Sequence, residues 1–179
     1  IKGISDITLN DISYCNQLGY KIKLLGNSML SKNKNGEDEL CCSVEPWLIS
    51  KNHGLSSVAG VLNAVQIESS LAGSVMITGA GAGGEPTASA VLADIVDYAN
   101  ETKVFSFGRN SKDIKSNYKT ISYTSKFKYY LRLNVEDKSG VLADVTSIFK
   151  DYDLSIESFI QKSNHEDKTC LLYTSDAAD

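Results

Sequence analysis

The run Gly79-Ala80-Gly81-Ala82-Gly83-Gly84 constrains this chain more than any other segment. It follows Ser74-Val75-Met76-Ile77, a strand candidate, and precedes Pro86, which fits the first turn of a helix. Beyond Pro86, the residues Ala88, Val91, Leu92, Ile95, Val96 and Ala99 fall on one helical stripe. A strand must therefore pass through a bend bare of side chains into a helix. Backbone N–H groups at such a bend, with the helix dipole behind them, suit an anion or a closely packed cofactor, because no Cβ stands in the way. The spacing also satisfies the G-x-G-x-x-G pattern of dinucleotide-binding folds. Topology argues against that fingerprint. It opens a βαβ series, whereas here strand candidates and a helix come first and no such alternation follows. The acid expected at the end of the next strand is also missing, since Phe105-Ser106-Phe107 leads to Gly108-Arg109. Two readings stay open: a purely structural tight turn, and a cofactor-facing loop in another kind of domain.

The rest of the chain supplies the surroundings of that bend. Thr8-Leu9-Asn10-Asp11 has the capping-box pattern, and Ile12, Cys15 and Leu18 follow at near-helical spacing, so a short helix is expected over 9–18, ending at Gly19. Lys21 to Leu25 alternates like a strand. Ser31 to Asp38, with Asn35-Gly36 inside it, reads as a hairpin turn, and Leu40 to Leu48 as the return strand. Val61 to Glu68 is a further strand. Residues 101–127, rich in Ser, Lys, Asn and Thr, read as a connection with one short strand at Val104-Phe105-Ser106-Phe107, and the domain boundary is placed there. Lys128 to Val135 is a strong strand, Asp137-Lys138-Ser139-Gly140 a turn, Val141 to Tyr152 an amphipathic helix, and Leu154 to Gln161 a second strand, with a charged turn at Asn164 to Lys168.

Composition narrows the function classes. The 179 residues allow one ordinary domain or two small ones, and 42% hydrophobic residues place the chain among globular proteins. With 18 basic and 22 acidic residues the net charge is −4 and the lysines are scattered, which disfavours nucleic acid as a partner. No apolar run approaches the ~18 residues of a membrane span, and Ile1-Lys2-Gly3 does not begin a signal peptide. The first residue is not Met, so the natural start is expected upstream. The cysteines, Cys15, Cys41, Cys42 and Cys170, form no C-x-x-C, and His53 and His165 are far apart, so a metal site is not expected. Cys41 and Cys42 should face opposite sides of a strand, and the thiols read as reduced and mostly buried, in a cytoplasmic protein. Residues 170–179, Cys-Leu-Leu-Tyr-Thr-Ser-Asp-Ala-Ala-Asp, agree codon by codon with the translation of a transposase-type sequencing adapter. They are read as read-through and left out of the fold expectations; the alternative is a genuine short strand at Leu171-Leu172-Tyr173.

Gly79 to Asp94 resembles the G-x-G-A-G-x-x-P-T-A-S-A-V motif of the homoserine dehydrogenase family. Gly3-Ile4, Ile7-Thr8, Asp11-Ile12, the segment Leu18 to Leu25, Val44-Glu45-Pro46-Trp47-Leu48-Ile49 and the segment Val58 to Val65 agree with the same family in order. The resemblance covers residues 1 to about 101. Trp47 stands where that family usually has Arg, and Gly54 where it has Pro. Residues 128–169 resemble the first half of an ACT domain, a small βαββαβ module that senses amino acids. Val135 to Ala143 carries its D-x-x-G-V-L-A signature with Ser139 in place of the common Pro, and Ser155 to Gln161 matches its second strand.

The resemblance implies an α+β chain: a mixed sheet with the 87–99 helix packed on one face, then a truncated ferredoxin-like ACT module (βαβ). It divides the chain into 1–101, the end of a catalytic and dimerising domain; 102–127, a linker; 128–169, half of the regulatory module; and 170–179, the read-through. It implies a parent enzyme that interconverts aspartate 4-semialdehyde and homoserine with NADP or NAD, on the route to threonine, methionine and isoleucine. The Rossmann domain and the Asp-x-x-x-Lys catalytic helix would lie before Ile1, so no catalytic residue is assigned here and the fragment alone is expected to be inactive. The family's glycine loop closes over the nicotinamide end of the cofactor. That carries over to Gly81 and Gly83, then to Gly79 and Thr87. The ACT turn implies an effector site at Asp137, Ser139, Gly140, Val141 and Leu142, with threonine the first candidate. Asp137 takes either the effector's ammonium or the cap of the helix that begins after Gly140. A homo-oligomer is implied, and an exposed apolar face with unpaired strand edges should make the fragment associate. A non-enzymatic regulatory protein built on an ACT module is the alternative, supported only by Asp137 to Ala143.

Overall fold

Thr8 opens the first helix as its pattern predicts. In the computed structural model, which describes residues 3–102, 105, 107–115, 117–122, 128–164 and 168–176, with side chains up to 162, helix α1 runs Leu9–Gln17. The Thr8 hydroxyl accepts from Asp11 N at 3.3 Å, and the Asp11 carboxylate accepts from Thr8 N at 2.8 Å, closing the box from both sides. Gly19, at φ +87°, turns the chain out of the helix into strand β1, Tyr20–Lys32. The hairpin falls where Asn35-Gly36 predicts it. Asn33 Oδ1 accepts from Asn35 N and Glu37 N, Gly36 takes φ +82°, and β2 returns as Asp38–Ser50. Cys41 is buried and Cys42 exposed, the strand alternation expected of the pair.

After a short helix α2, Gly54–Ser57, strands β3, Leu62–Ser69, and β4, Gly73–Ala80, pair antiparallel in register from Leu62 opposite Ala80 to Ser69 opposite Gly73. Helix α3, Gly84–Ala99, follows the glycine bend. The connection beyond it holds a 3₁₀ turn at Ser111–Asp113 and strand β5, Lys119–Ile121, which joins the first hairpin as β1-β2-β5. Lys115 and Lys119 reach Asp38 at 2.8 Å and Glu39 at 2.9 Å, so the polar connection is fastened to β2. Sequence reading missed β5, because Lys-Thr-Ile has no apolar alternation long enough to register. The short strand expected at 104–107 lies partly outside the described residues; Phe105 and Phe107 are not in a strand.

The last segment builds β6, Lys128–Glu136; α4, Val141–Asp151; β7, Ser158–Asn164; and β8, Lys168–Asp176. The sheet order is β6-β8-β7, both pairings antiparallel. That is the order of the first three strands in a ferredoxin-like βαββαβ module. The expected βαβ thus gains a third strand, and it runs through residues set aside as read-through: Leu171 stands opposite Leu133, and Leu172 opposite Ile160. Strand pairing draws on main-chain N–H and C=O groups, so a short apolar segment of either origin can fill the slot between β6 and β7. Phe149 of α4 is the buried centre of this module, packed by Leu133 and Val135 of β6 with Val145 and Ile156.

The class is α+β, as expected, with its strands divided over three sheets. One expectation is corrected. Helix α3 does not bury a face: all its residues are exposed, including Val91, Leu92, Ile95 and Val96 at more than half of their surface. A helical apolar stripe records that a partner is needed, not that this segment supplies it. By contacts, the chain forms two compact units. One unit gathers Ile1–Ser28, Cys41–Leu48 and Ile121–Asp179; the other gathers Met29–Leu40 and Ile49–Thr120. Within the first, α1 is tied to β6: Tyr130 Oη donates to Asp11 Oδ1 at 3.0 Å, and Arg132 Nη1 lies 3.0 Å from the same oxygen and 2.9 Å from Thr8 Oγ1.

Candidate functional site

The glycine bend is formed by the last residues of β4 and the start of α3, and every residue from Gly79 to Thr87 is exposed. Its glycines answer to different causes. Gly81 donates its N–H to Val61 O at 2.7 Å, and a Cβ there would collide with the Asn63 side-chain amide. Gly83 sits at φ +128°, a conformation that favours glycine, and a Cβ would stand 3.2 Å from Pro86 Cδ. These two glycines are required by the fold itself. Gly79 and Gly84 are not: a Cβ at either meets no atom within 4 Å, and neither has a positive φ. Thr87 does not point into the bend as a free donor. Its hydroxyl donates to Gly83 O at 2.7 Å, and its N–H bonds the same carbonyl at 3.2 Å. Gly83 caps α3 without a side-chain hydrogen bond, which leaves the Gly84 and Glu85 N–H groups at an exposed helix start. The bend therefore has the openness a planar ring needs on one backbone face, and Gly79 and Gly84 are the glycines whose bareness nothing inside the chain demands.

The second site is a cavity of about 320 Å³ at the turn between β6 and α4. All five residues that the resemblance singles out, Asp137, Ser139, Gly140, Val141 and Leu142, line it. Val135, Glu136 and Lys138 complete the turn side, and Gln161 enters from β7. Gln161 was missed as a site residue; the available signal was a polar residue directly after Phe159-Ile160 on a strand that returns to the turn. Gly140, at φ +95°, is the N-cap of α4 and accepts from Asp144 N at 3.0 Å. No side chain caps this helix. The first N–H groups of α4 stay without intrahelical partners beside the cavity, a setting that favours a carboxylate. Glu136 and Lys138 pair at 2.6 Å on the turn. An uncapped helix start beside a carboxylate offers complementary places for an anionic and a cationic group. Among the described residues no cluster of His, Cys, Asp and Glu could hold a metal ion.

Comparison with known proteins gives these geometries a family. The homoserine dehydrogenase family model matches residues 1–96 and the ACT domain model residues 129–173. The homoserine dehydrogenases of Corynebacterium glutamicum and Pseudomonas aeruginosa are 35% and 36% identical over 98% and 92% of this chain, matching 40% and 38% of their own length. Among solved structures, a homoserine dehydrogenase from Thiobacillus denitrificans superposes with a TM-score of 0.73 at 32% identity, covering 97% of this chain and 39% of that one. The S. aureus enzyme at pH 8.5 gives 0.61 at 27% identity, covering 99% and 41%. The chain thus spans about 40% of the length of the curated relatives it matches. A family model covering more than half of the sequence, with the glycine motif inside it, shows that the chain belongs to the homoserine dehydrogenase family.

Proposed function

We propose that the protein to which this chain belongs is an NAD(P)-dependent homoserine dehydrogenase, interconverting L-aspartate 4-semialdehyde and L-homoserine in the cytoplasm as a homo-oligomer. The observation that carries this reading is the family match over 1–96 with its glycine motif set at an open, side-chain-free bend. The residues present fit a nicotinamide: Gly79 and Gly84 leave backbone faces clear, and Thr87 holds the Gly83 carbonyl in place. When bound, the nicotinamide supplies or accepts hydride. This chain's part is to position and to exclude: Gly81, Gly83, Gly79 and Thr87 shape the wall against which the ring rests. The cavity at Asp137–Leu142 is the effector site, with threonine the first candidate. The carboxylate would lie on the α4 N–H groups and the ammonium on Asp137. The division into a catalytic part, a linker, an ACT half and a read-through tail belongs to the same reading.

The test is a full-length preparation of the parent enzyme assayed for NADPH or NADH oxidation with aspartate 4-semialdehyde, beside this 179-residue chain in the same assay. Activity in the former and none in the latter is expected. A full-length enzyme with no such activity contradicts the proposal, and activity in the isolated chain contradicts its division of labour.

A further inference from the structure

Strand β6 has two committed faces. Leu133 and Val135 point to α4, where they pack on Phe149. Tyr130 and Arg132, of the opposite parity, point to α1, where both meet one carboxylate. That carboxylate, Asp11, is 5% exposed, and Arg132 Nη1 also bonds the Thr8 hydroxyl. The same strand ends at Glu136, in the wall of the cavity at the β6–α4 turn, and Val135 lines it as well. One rigid element therefore connects the cavity to a helix that lies in the segment matching the dehydrogenase model. The contact closes over 119 residues of sequence. It is polar, nearly enclosed and directional, whereas a simple packing contact would be served by apolar residues at lower desolvation cost.

We propose that the Asp11–Tyr130–Arg132 cluster is a regulatory latch, through which occupancy of the β6–α4 cavity is transmitted to helix α1 and so to the dehydrogenase segment. The inference rests on the reading of the cavity as an effector site. Tyr130 and Arg132 are positioning residues in it. A shift of the 136–140 turn on ligand binding moves β6 along its length, and a hydrogen-bonded carboxylate resists sliding where a greasy contact would accommodate it. By linkage, the factor by which substrate changes effector affinity through the latch is the factor by which effector changes substrate affinity.

The test uses the full-length enzyme with threonine, isoleucine and methionine tried in turn as probes. Their affinities are measured by calorimetry with and without saturating cofactor and substrate product, and the ratio is the coupling factor. Tyr130→Phe and Arg132→Gln are expected to leave the affinity without substrate within about threefold and to reduce a coupling factor in the usual range of about 5–150 by at least about fivefold. Arg132→Lys, which keeps the charge, is expected to restore most of it. A purely structural role would lower stability while leaving the ratio alone. Unchanged coupling in both folded variants overturns the latch while the cavity reading survives. A wild-type enzyme that binds none of the three amino acids overturns both.

Discussion

At Asp11 a single carboxylate closes the cap of α1, accepts from Tyr130 and pairs with Arg132. Burial alone raises its pKa, but the Thr8 hydroxyl and N–H, the Tyr130 hydroxyl and the Arg132 charge together outweigh it and hold the carboxyl below its ordinary value. The group's folded pKa is thus depressed, so the stability it contributes is present above its unfolded pKa, about 4, and is lost as pH falls through the lower folded value. Asp11→Asn in the full-length enzyme is expected to cost about 2–3 kcal/mol in urea denaturation at pH 7, and the difference from wild type should shrink below about pH 4. A gap that stays constant down to pH 3 would mean the charge is not what matters. Cys15, one helical turn along the same face, is buried, and burial followed by the Asp11 charge pushes its thiol up to about 12. Iodoacetamide labelling with peptide mapping should therefore modify exposed Cys42 well before Cys15 in the native chain, with Cys15 labelled only on unfolding. Gly83 and Gly140 both occupy positive φ, and alanine at either should destabilise by about 1 kcal/mol through backbone strain alone. A large effect of Gly83→Val on cofactor binding would consequently mix strain with lost space.

Among the elements, those specified by local chemistry were legible from sequence. The capping box of α1, the Asn-Gly hairpin and the alternation of β6 each sit within a few residues, and each element appears where its signal lies. What was not legible depends on distant partners. No pattern in Thr8-Leu9-Asn10-Asp11 announces Tyr130 and Arg132 on a strand 119 residues away. The apolar stripe of α3 identified the face but not its covering. The glycine run was recognised as a bend, yet sequence could not separate Gly81, excluded by Asn63, from Gly79, which has room to spare. In the ACT segment, Phe149 is the one buried apolar side chain among the described residues, and Phe149→Ala should cost about 3 kcal/mol and loosen α4 from β6. Hydrogen exchange would report this as lost protection in Val141–Asp151 ahead of α1.

As a molecule, the chain shows more apolar surface than a self-sufficient fold does. Val65, Ile67 and Ile77 on the β3–β4 sheet and Val91, Leu92, Ile95 and Val96 of α3 are all more than half exposed. The relatives are about two and a half times as long, which agrees with this surface being covered in the whole enzyme. The isolated chain is expected to self-associate in sedimentation velocity, and a Leu92→Glu, Ile95→Lys pair should reduce that association without lowering the melting temperature. The enzymatic proposal depends on the bend after β4 being kept bare for a cofactor. The measurement that reaches it most directly is Gly79→Ala in the full-length enzyme, because a Cβ there meets nothing in this chain. The expected result is a rise of at least about tenfold in the NAD(P)H KM, equivalent to about 1.4 kcal/mol, with an unchanged melting temperature. An unchanged KM would mean that no coenzyme rests against Gly79, leaving the bend a turn and nothing more.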